Sequence, residues 1–441
     1  VTVKTPPTLA LAAALALAVA SATPAGADEI RMRDPQTCAP TTLKVDEIVS
    51  ETWVEVTARS RPRGPVDRKV PTRLVEAIVR SQEDPQAAKL AEGMGDLARG
   101  RFAAARDTFA SVGGGGPKVD ETGKKTFVAF SASDAGGKPK WHAEYAHYHY
   151  AEAAWRDAVA RDRDKEGLEN ALRALAADEG AEKGFLARFR EGKSRFYGDA
   201  MLLKARVLQD LGRLDEAAKA YDELYEKAIS VPIGARLAFE AKVGAGGIAQ
   251  AKGSSADAEA AYEAAASALE QLIATAPDPC TRKDYGRYYN EAGMRKAHVL
   301  LEAAEKASSG PAFARLQEYL STRTPQALAT RLRGRPADVV SAVVDGAASP
   351  SVQAVLQNGL GLSHLAQGRH VDALLAFNDV RIRHFTVTAE VPRALYYLAQ
   401  AADAAAAKAS GEAKALFERQ AAAARRELET DHPDSPWAKK K

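Results

Sequence analysis

Four stretches of this chain carry one five-residue pattern at one spacing: a small residue, a glycine seven positions on, an alanine five further, an aromatic four after that, and an apolar residue three later. They are Gly93, Gly100, Ala105, Phe109 and Val112; Ala205, Gly212, Ala217, Tyr221 and Leu224; Gly246, Gly253, Ala258, Tyr262 and Ala265; and Gly361, Gly368, Ala373, Phe377 and Val380. The last three positions of each set share one helical stripe. The second glycine precedes that helix and suits the turn that closes the helix before it. The first small residue lies one heptad upstream, near the middle of that preceding helix. A glycine there costs about 1 kcal/mol relative to alanine, which a close approach by a neighbouring helix would offset. The aromatic is expected to fill the space toward the next hairpin. Repetition at fixed offsets constrains the fold more than any single motif does.

These small–Gly–Ala–aromatic positions resemble the tetratricopeptide repeat (TPR) family. The resemblance implies antiparallel helix pairs of about 34 residues, stacked as an α-solenoid. It covers residues 86–117, 198–229, 239–272 and 354–385. Helical stretches at 141–162, 167–190, 283–306 and 391–430 would supply degenerate or capping hairpins. The family's large aromatic early in the first helix is absent and the blocks are unevenly spaced, which leaves room for two sub-arrays. The closing stretch from His432 to Ala438 is similar to Pro-x-Ser turns between repeats of periplasmic and outer-membrane-assembly repeat proteins.

The N-terminal part reads differently. Lys4, the apolar run Leu9–Ala20 and the Ala25-Gly26-Ala27 site before Asp28 read as a secretory signal peptide over 1–27. Val1 fits a bacterial GTG start read literally. The expected location is therefore periplasmic or extracellular. Residues 28–81 alternate short apolar stretches with Pro35, Pro40, Pro62 and Pro65, which predicts a small β-rich module. A TPR-like helical array follows over 82–306, with a Gly-rich insert at 113–140 in which Thr126–Phe130 suggests a hairpin. An irregular linker with short helices is expected over 307–351, and C-terminal TPR-like helices with a tail over 352–441. The fold class is thus mainly α, preceded by a small β-rich module. Cys38 and Cys280 permit one disulfide in an oxidising compartment; two separate thiols are the open alternative.

A formal net charge of +3 over 441 residues gives no reason to expect nucleic acid as a partner. No segment after residue 27 reaches 18 apolar residues, so no transmembrane segment is expected in the mature chain. The densest group of potential ligands is Trp141–Tyr150. Its His142 and His147 lie about 140° apart on a helix, and His142 and His149 roughly 10 Å apart along it, so neither pair makes a local metal site. Gly123-Lys124-Lys125-Thr126 departs from the phosphate-loop pattern. With no catalytic motif, the sequence gives no catalytic residue, no cofactor and no metal.

The TPR resemblance implies binding through the inner face of the first helix of each pair. The matching positions are Asp199, Arg206, Gln209, Glu240, Gln250 and Asn358. The expected function is an extracytoplasmic scaffold for a protein or peptide partner in the cell envelope. Two alternatives stay open: a cell-wall-active enzyme, which a buried carboxylate of raised pKa would favour, and a self-associating structural subunit.

Overall fold

Period-2 apolar alternation gives way to helical periodicity near residue 85, and the computed structural model changes from strands to helices there. It describes residues 28–60, 66–80, 85–119, 125–128, 130, 141–176, 184–189, 194–229, 234–307 and 310–440. The stretch expected to be a signal peptide lies outside the described residues.

Six short strands form the N-terminal module: β1 (Asp28–Arg33), β2 (Pro40–Val45), β3 (Glu47–Glu51), β4 (Glu55–Ser60), β5 (Val66–Pro71) and β6 (Val75–Val79). They make two antiparallel sheets, ordered β2-β1-β6 and β3-β4-β5. Register follows the apolar alternation: Ile30 sits opposite Leu43 and Ile78, and Val56 opposite Val70. Ile30, Val45, Ile48, Val56, Ala58 and Val70 bury together as the module's core.

The helices number seventeen among the described residues. First come α1 (Pro85–Ala98), α2 (Phe102–Gly113), α3 (Trp141–Ala160), α4 (Lys165–Ala176), the one-turn α5 (Phe185–Arg188), α6 (Tyr197–Asp210), α7 (Leu214–Ile229) and α8 (Ala235–Ala251). Within the expected Gly-rich insert, β7 (Gly116–Val119) pairs antiparallel with β8 (Lys125–Val128). Then come α9 (Ser255–Thr275), α10 (Pro279–Ala307), α11 (Gly310–Ser321), α12 (Pro325–Arg331), α13 (Ala337–Ala347), α14 (Pro350–Ala366), α15 (His370–Arg383), α16 (Val391–Lys408) and α17 (Gly411–Asp431). The expected irregular linker is thus largely helical, with Pro325 and Pro350 in the first turns of α12 and α14, where a missing N–H costs nothing.

Packing divides the chain into two units. One runs to residue 248 and includes 278–281; the other holds 249–277 and 282 onward. In the first unit α1 packs on α2, α2 on α3, α3 on α4 and α6 on α7; in the second α14 packs on α15, α15 on α16 and α16 on α17.

The repeated glycines do what their spacing predicts. Gly100, Gly212, Gly253 and Gly368 have φ of 77°, 75°, 81° and 72°, the left-handed conformation that a side chain disfavours. In two of the four sets the first small residue makes a place for the aromatic of its own hairpin. A Cβ on Gly93 would lie 2.7 Å from Phe109, and one on Gly361 2.6 Å from Phe377. The ring also fills space toward the next hairpin, as expected: Tyr221 lies against Gly244 of α8. Phe377 turns one side to Gly361 and stacks on Tyr397 of α16 at 6.0 Å with the other.

Cys38 and Cys280 stand as thiols, not as a bridge. Their segments are joined by other means. The Cys280 N–H donates to the Pro35 carbonyl (3.2 Å), and Arg73 donates to Asp278 (2.9 Å) and Thr281 (3.0 Å). Cys38 is held in a left-handed turn, φ 58°, by its N–H bond to Asp34. The Lys440 ammonium sits 3.7 Å from the Trp437 ring centroid, and Trp437 packs on Tyr396 and Tyr397.

Candidate docking surface

Five of the six residues placed on the inner helical face are half-buried, and every one has an internal partner. Asp199 on α6 pairs with Arg236 on α8. Two turns further along α6 and one turn further along α8, Arg206 pairs with Glu240 at 2.9 Å. These pairs tie together the first helices of successive hairpins, and half-exposed pairs of this kind contribute about 0–1 kcal/mol each.

Gln209 and Gln250 have a different task. Gln209 accepts a hydrogen bond from the Tyr221 hydroxyl (3.0 Å), and Gln250 one from the Tyr262 hydroxyl (2.9 Å), each across 12 residues. In the two repeats whose aromatic is Phe109 or Phe377, the residue 12 positions earlier is Leu97 or Leu365. A buried phenol needs an acceptor and a phenyl ring does not, so the two columns vary together. Comparing the aromatic column with the one 12 positions before it would have revealed this from sequence. Tyr221→Phe alone is expected to cost about 1 kcal/mol, as is Gln209→Leu alone. The double variant should recover most of the loss, and a double-mutant cycle in urea checks it; additive losses would refute the pairing.

Asn358 is a correction. It is fully buried, because its Nδ2 donates to the Glu390 carboxylate (2.8 Å) and carbonyl (3.1 Å). Burial raises the Glu390 carboxyl, but His298, Arg393 and Asn358 around it hold it below its ordinary range. Asn358 therefore joins α14 to the start of α16 and cannot face a partner.

An apolar surface that the sequence reading missed lies on α15. Val371, Leu375 and Ile382 are 55%, 66% and 66% exposed, and Phe385 just beyond the helix is 68% exposed. At 100° per residue the first three fall within a stripe about 40° wide, opposite buried Val380. The charges beside the stripe are already paired. Asp379 meets Arg383 (3.1 Å) and His384 (3.7 Å), and Arg381 meets Glu427 (2.7 Å). The signal was present as a second apolar period on α15, hidden beneath the repeat period that defines its core face.

A buried polar cluster joins the β module to α3 within the first unit. Arg80 donates to Asp28 (3.2 Å) and to Glu51 and lies over Trp141, 4.9 Å from its ring centroid. The Tyr145 hydroxyl donates to Glu51, and Arg195 lies 3.9 Å from the same carboxylate. Ser194 donates its hydroxyl to Glu144. The Glu144 carboxyl is pushed up to about 7: burial raises it most, the Ser194 bond lowers it, and Glu51 raises it against Arg195 and Arg80.

The histidine-rich start of α3 is packing. His147 bonds the Ala174 carbonyl (2.6 Å) and stacks on Phe130 at 4.4 Å; burial pushes it down to about 3. His149 meets Glu152 at 3.0 Å. Among the described residues no group of three His, Cys, Asp or Glu is arranged to hold a metal ion. No single helix among them is long and apolar enough to cross a membrane; α13 and α14 reach that only together, across a 62° bend. No family model matches this chain. No curated protein matches it.

Proposed function

We propose that this chain is an extracytoplasmic scaffold of TPR type that docks a protein of the cell envelope through the apolar stripe of α15. The single observation that carries the reading is the row Val371, Leu375, Ile382 and Phe385, left exposed on a helix whose other face is fully used in the core. Exposed apolar rows of this kind mark contact surfaces. Because the flanking charges are satisfied internally, the stripe offers shape and apolar area without net charge. The partner is therefore expected to present an apolar helical stripe, the helix-on-helix mode of recognition. The repeat glycines and the small-to-aromatic fit support the TPR reading.

The raised carboxyl of Glu144 is the feature that an acid catalyst would share. Its neighbours favour a structural role, since Arg80, Glu51, Tyr145 and Ser194 join strands to helices around it.

The test places a photo-crosslinking residue at position 375 of the full chain in its own cell envelope. A defined partner protein crosslinked at 375, and lost when Val371 and Ile382 are both replaced by Asp, is the expected outcome. A crosslink to a second copy, with a mass that rises with concentration, would move the reading to self-association. No crosslink would remove the stripe as a docking surface.

A further inference from the structure

Two arginines are buried among the described residues, and they are balanced differently. Arg393, 8% exposed, sits between Glu390 (3.3 Å) and Glu305 (3.4 Å). Arg323, 7% exposed, has no carboxylate within ion-pair distance among the described residues. Its Nη1 donates to the Tyr289 hydroxyl (2.8 Å) and its Nη2 to the Tyr289 carbonyl (3.4 Å). Its guanidinium faces the Tyr289 and Tyr319 rings, 4.7 and 5.6 Å from their centroids. A buried charge without a counter-charge is costly, and aromatic faces return only part of that cost.

The surroundings are built to keep the guanidinium there. Gly293 lies against it, so that any side chain at 293 would collide with it, and the Tyr319 hydroxyl donates to the Gly293 carbonyl (3.0 Å). Other cations converge on the same rings. Arg331 also donates to the Tyr289 hydroxyl, and Lys296 lies 4.9 Å from the Tyr319 centroid. The two carboxylates nearby are already engaged, Glu270 by Arg331 (2.6 Å) and Glu263 by Lys296 (2.9 Å). The group as a whole therefore carries one positive charge in excess, and that charge is on Arg323. The Arg323 Nε makes no hydrogen bond and is not sealed from solvent.

We propose that the Arg323 guanidinium, bordered by Tyr289, Gly293, Tyr319 and Arg331, binds a small oxyanion, a phosphate or carboxylate group, which supplies the missing counter-charge. Guanidinium groups bind such anions with directional, charge-assisted bonds. The site lies wholly in the second unit and is independent of the α15 stripe.

The experiment is thermal unfolding of the full chain at fixed ionic strength, with chloride replaced stepwise by inorganic phosphate in one arm and by acetate in the other. Wild type is compared with Arg323→Gln and with Arg331→Gln, whose side chain is 45% exposed. Wild type should show a saturable rise in Tm with at least one anion, and the arm that saturates at lower concentration distinguishes phosphate from carboxylate. Arg323→Gln should lose the rise, and Arg331→Gln should need about tenfold more anion, equivalent to about 1.4 kcal/mol. No rise in wild type, or a linear rise of equal size in all three proteins, overturns the proposal. If Arg323→Gln does not fold, Arg331→Gln decides: an unchanged saturation point there overturns it as well.

Discussion

Phe377→Ala is expected to lower the stability of the second unit by about 3–5 kcal/mol, the range for removing a buried phenylalanine. Phe377 has no exposed surface and lies in a core with Ala373, Val380, Leu395 and Tyr397. Its ring edge rests on the Gly361 backbone, and its face stacks on the next hairpin. Removing it opens a cavity at the joint between two hairpins, where neither can collapse without moving the other. The glycine supplies a sharper test. Gly361→Ala in the wild-type background places a methyl group 2.6 Å from the ring and should itself be destabilising by about 1–3 kcal/mol. In the Phe377→Ala background the same methyl enters empty space and should be neutral or stabilising. Calorimetry of the four proteins measures the coupling. Additive losses would show that the small residue and the aromatic are not one packing unit, and the mechanical account of the repeat would fall with them.

The repeat was legible in the sequence because backbone geometry imposes it. A left-handed turn selects glycine at 100, 212, 253 and 368 whatever surrounds it, so spacing alone locates the turns. The β module was legible for the same kind of reason, since alternation on Ile30, Leu43 and Val56 follows from the strand period. The direction of a side chain from a helix was harder to read. Asn358 falls on the face that the TPR resemblance assigns to a partner, yet Glu390, 32 residues away, draws it into the core. The α15 stripe was missed because Val371, Leu375 and Ile382 look like core residues until Ala373, Phe377 and Val380 are seen to occupy the core side. Arg323 and the Glu144 cluster could not be found at all, because each depends on residues that converge from separate elements and share no local spacing.

Glu144→Gln is expected to change the pH dependence of the first unit's stability. The Glu144 carboxyl sits at about 7 in the fold against an ordinary 4.5, so the folded state holds a proton that the unfolded chain releases between those values. The sign follows from that difference. The contribution of protonated Glu144 is fully present below 4.5 and is lost as pH rises through 7, so wild type weakens toward alkaline pH. The rise corresponds to about 3 kcal/mol at most. Every charged group around it belongs to the joint between β module and helices. Glu51 opposes a second negative charge, Arg195 and Arg80 partly offset it, and Arg80 is in turn paired with Asp28. Glutamine keeps an oxygen to accept the Ser194 hydroxyl and never ionises. The two proteins should therefore be close in stability at pH 4.5 and diverge above it, with the variant more stable by up to about 3 kcal/mol at pH 8. Urea unfolding followed by the fluorescence of Trp141, which stacks on Arg80 at this joint, reads the difference directly. Parallel stability curves between pH 4.5 and 8 would mean that Glu144 ionises in the fold as readily as in water. The joint would then be open to solvent and could not lock the strands to α3.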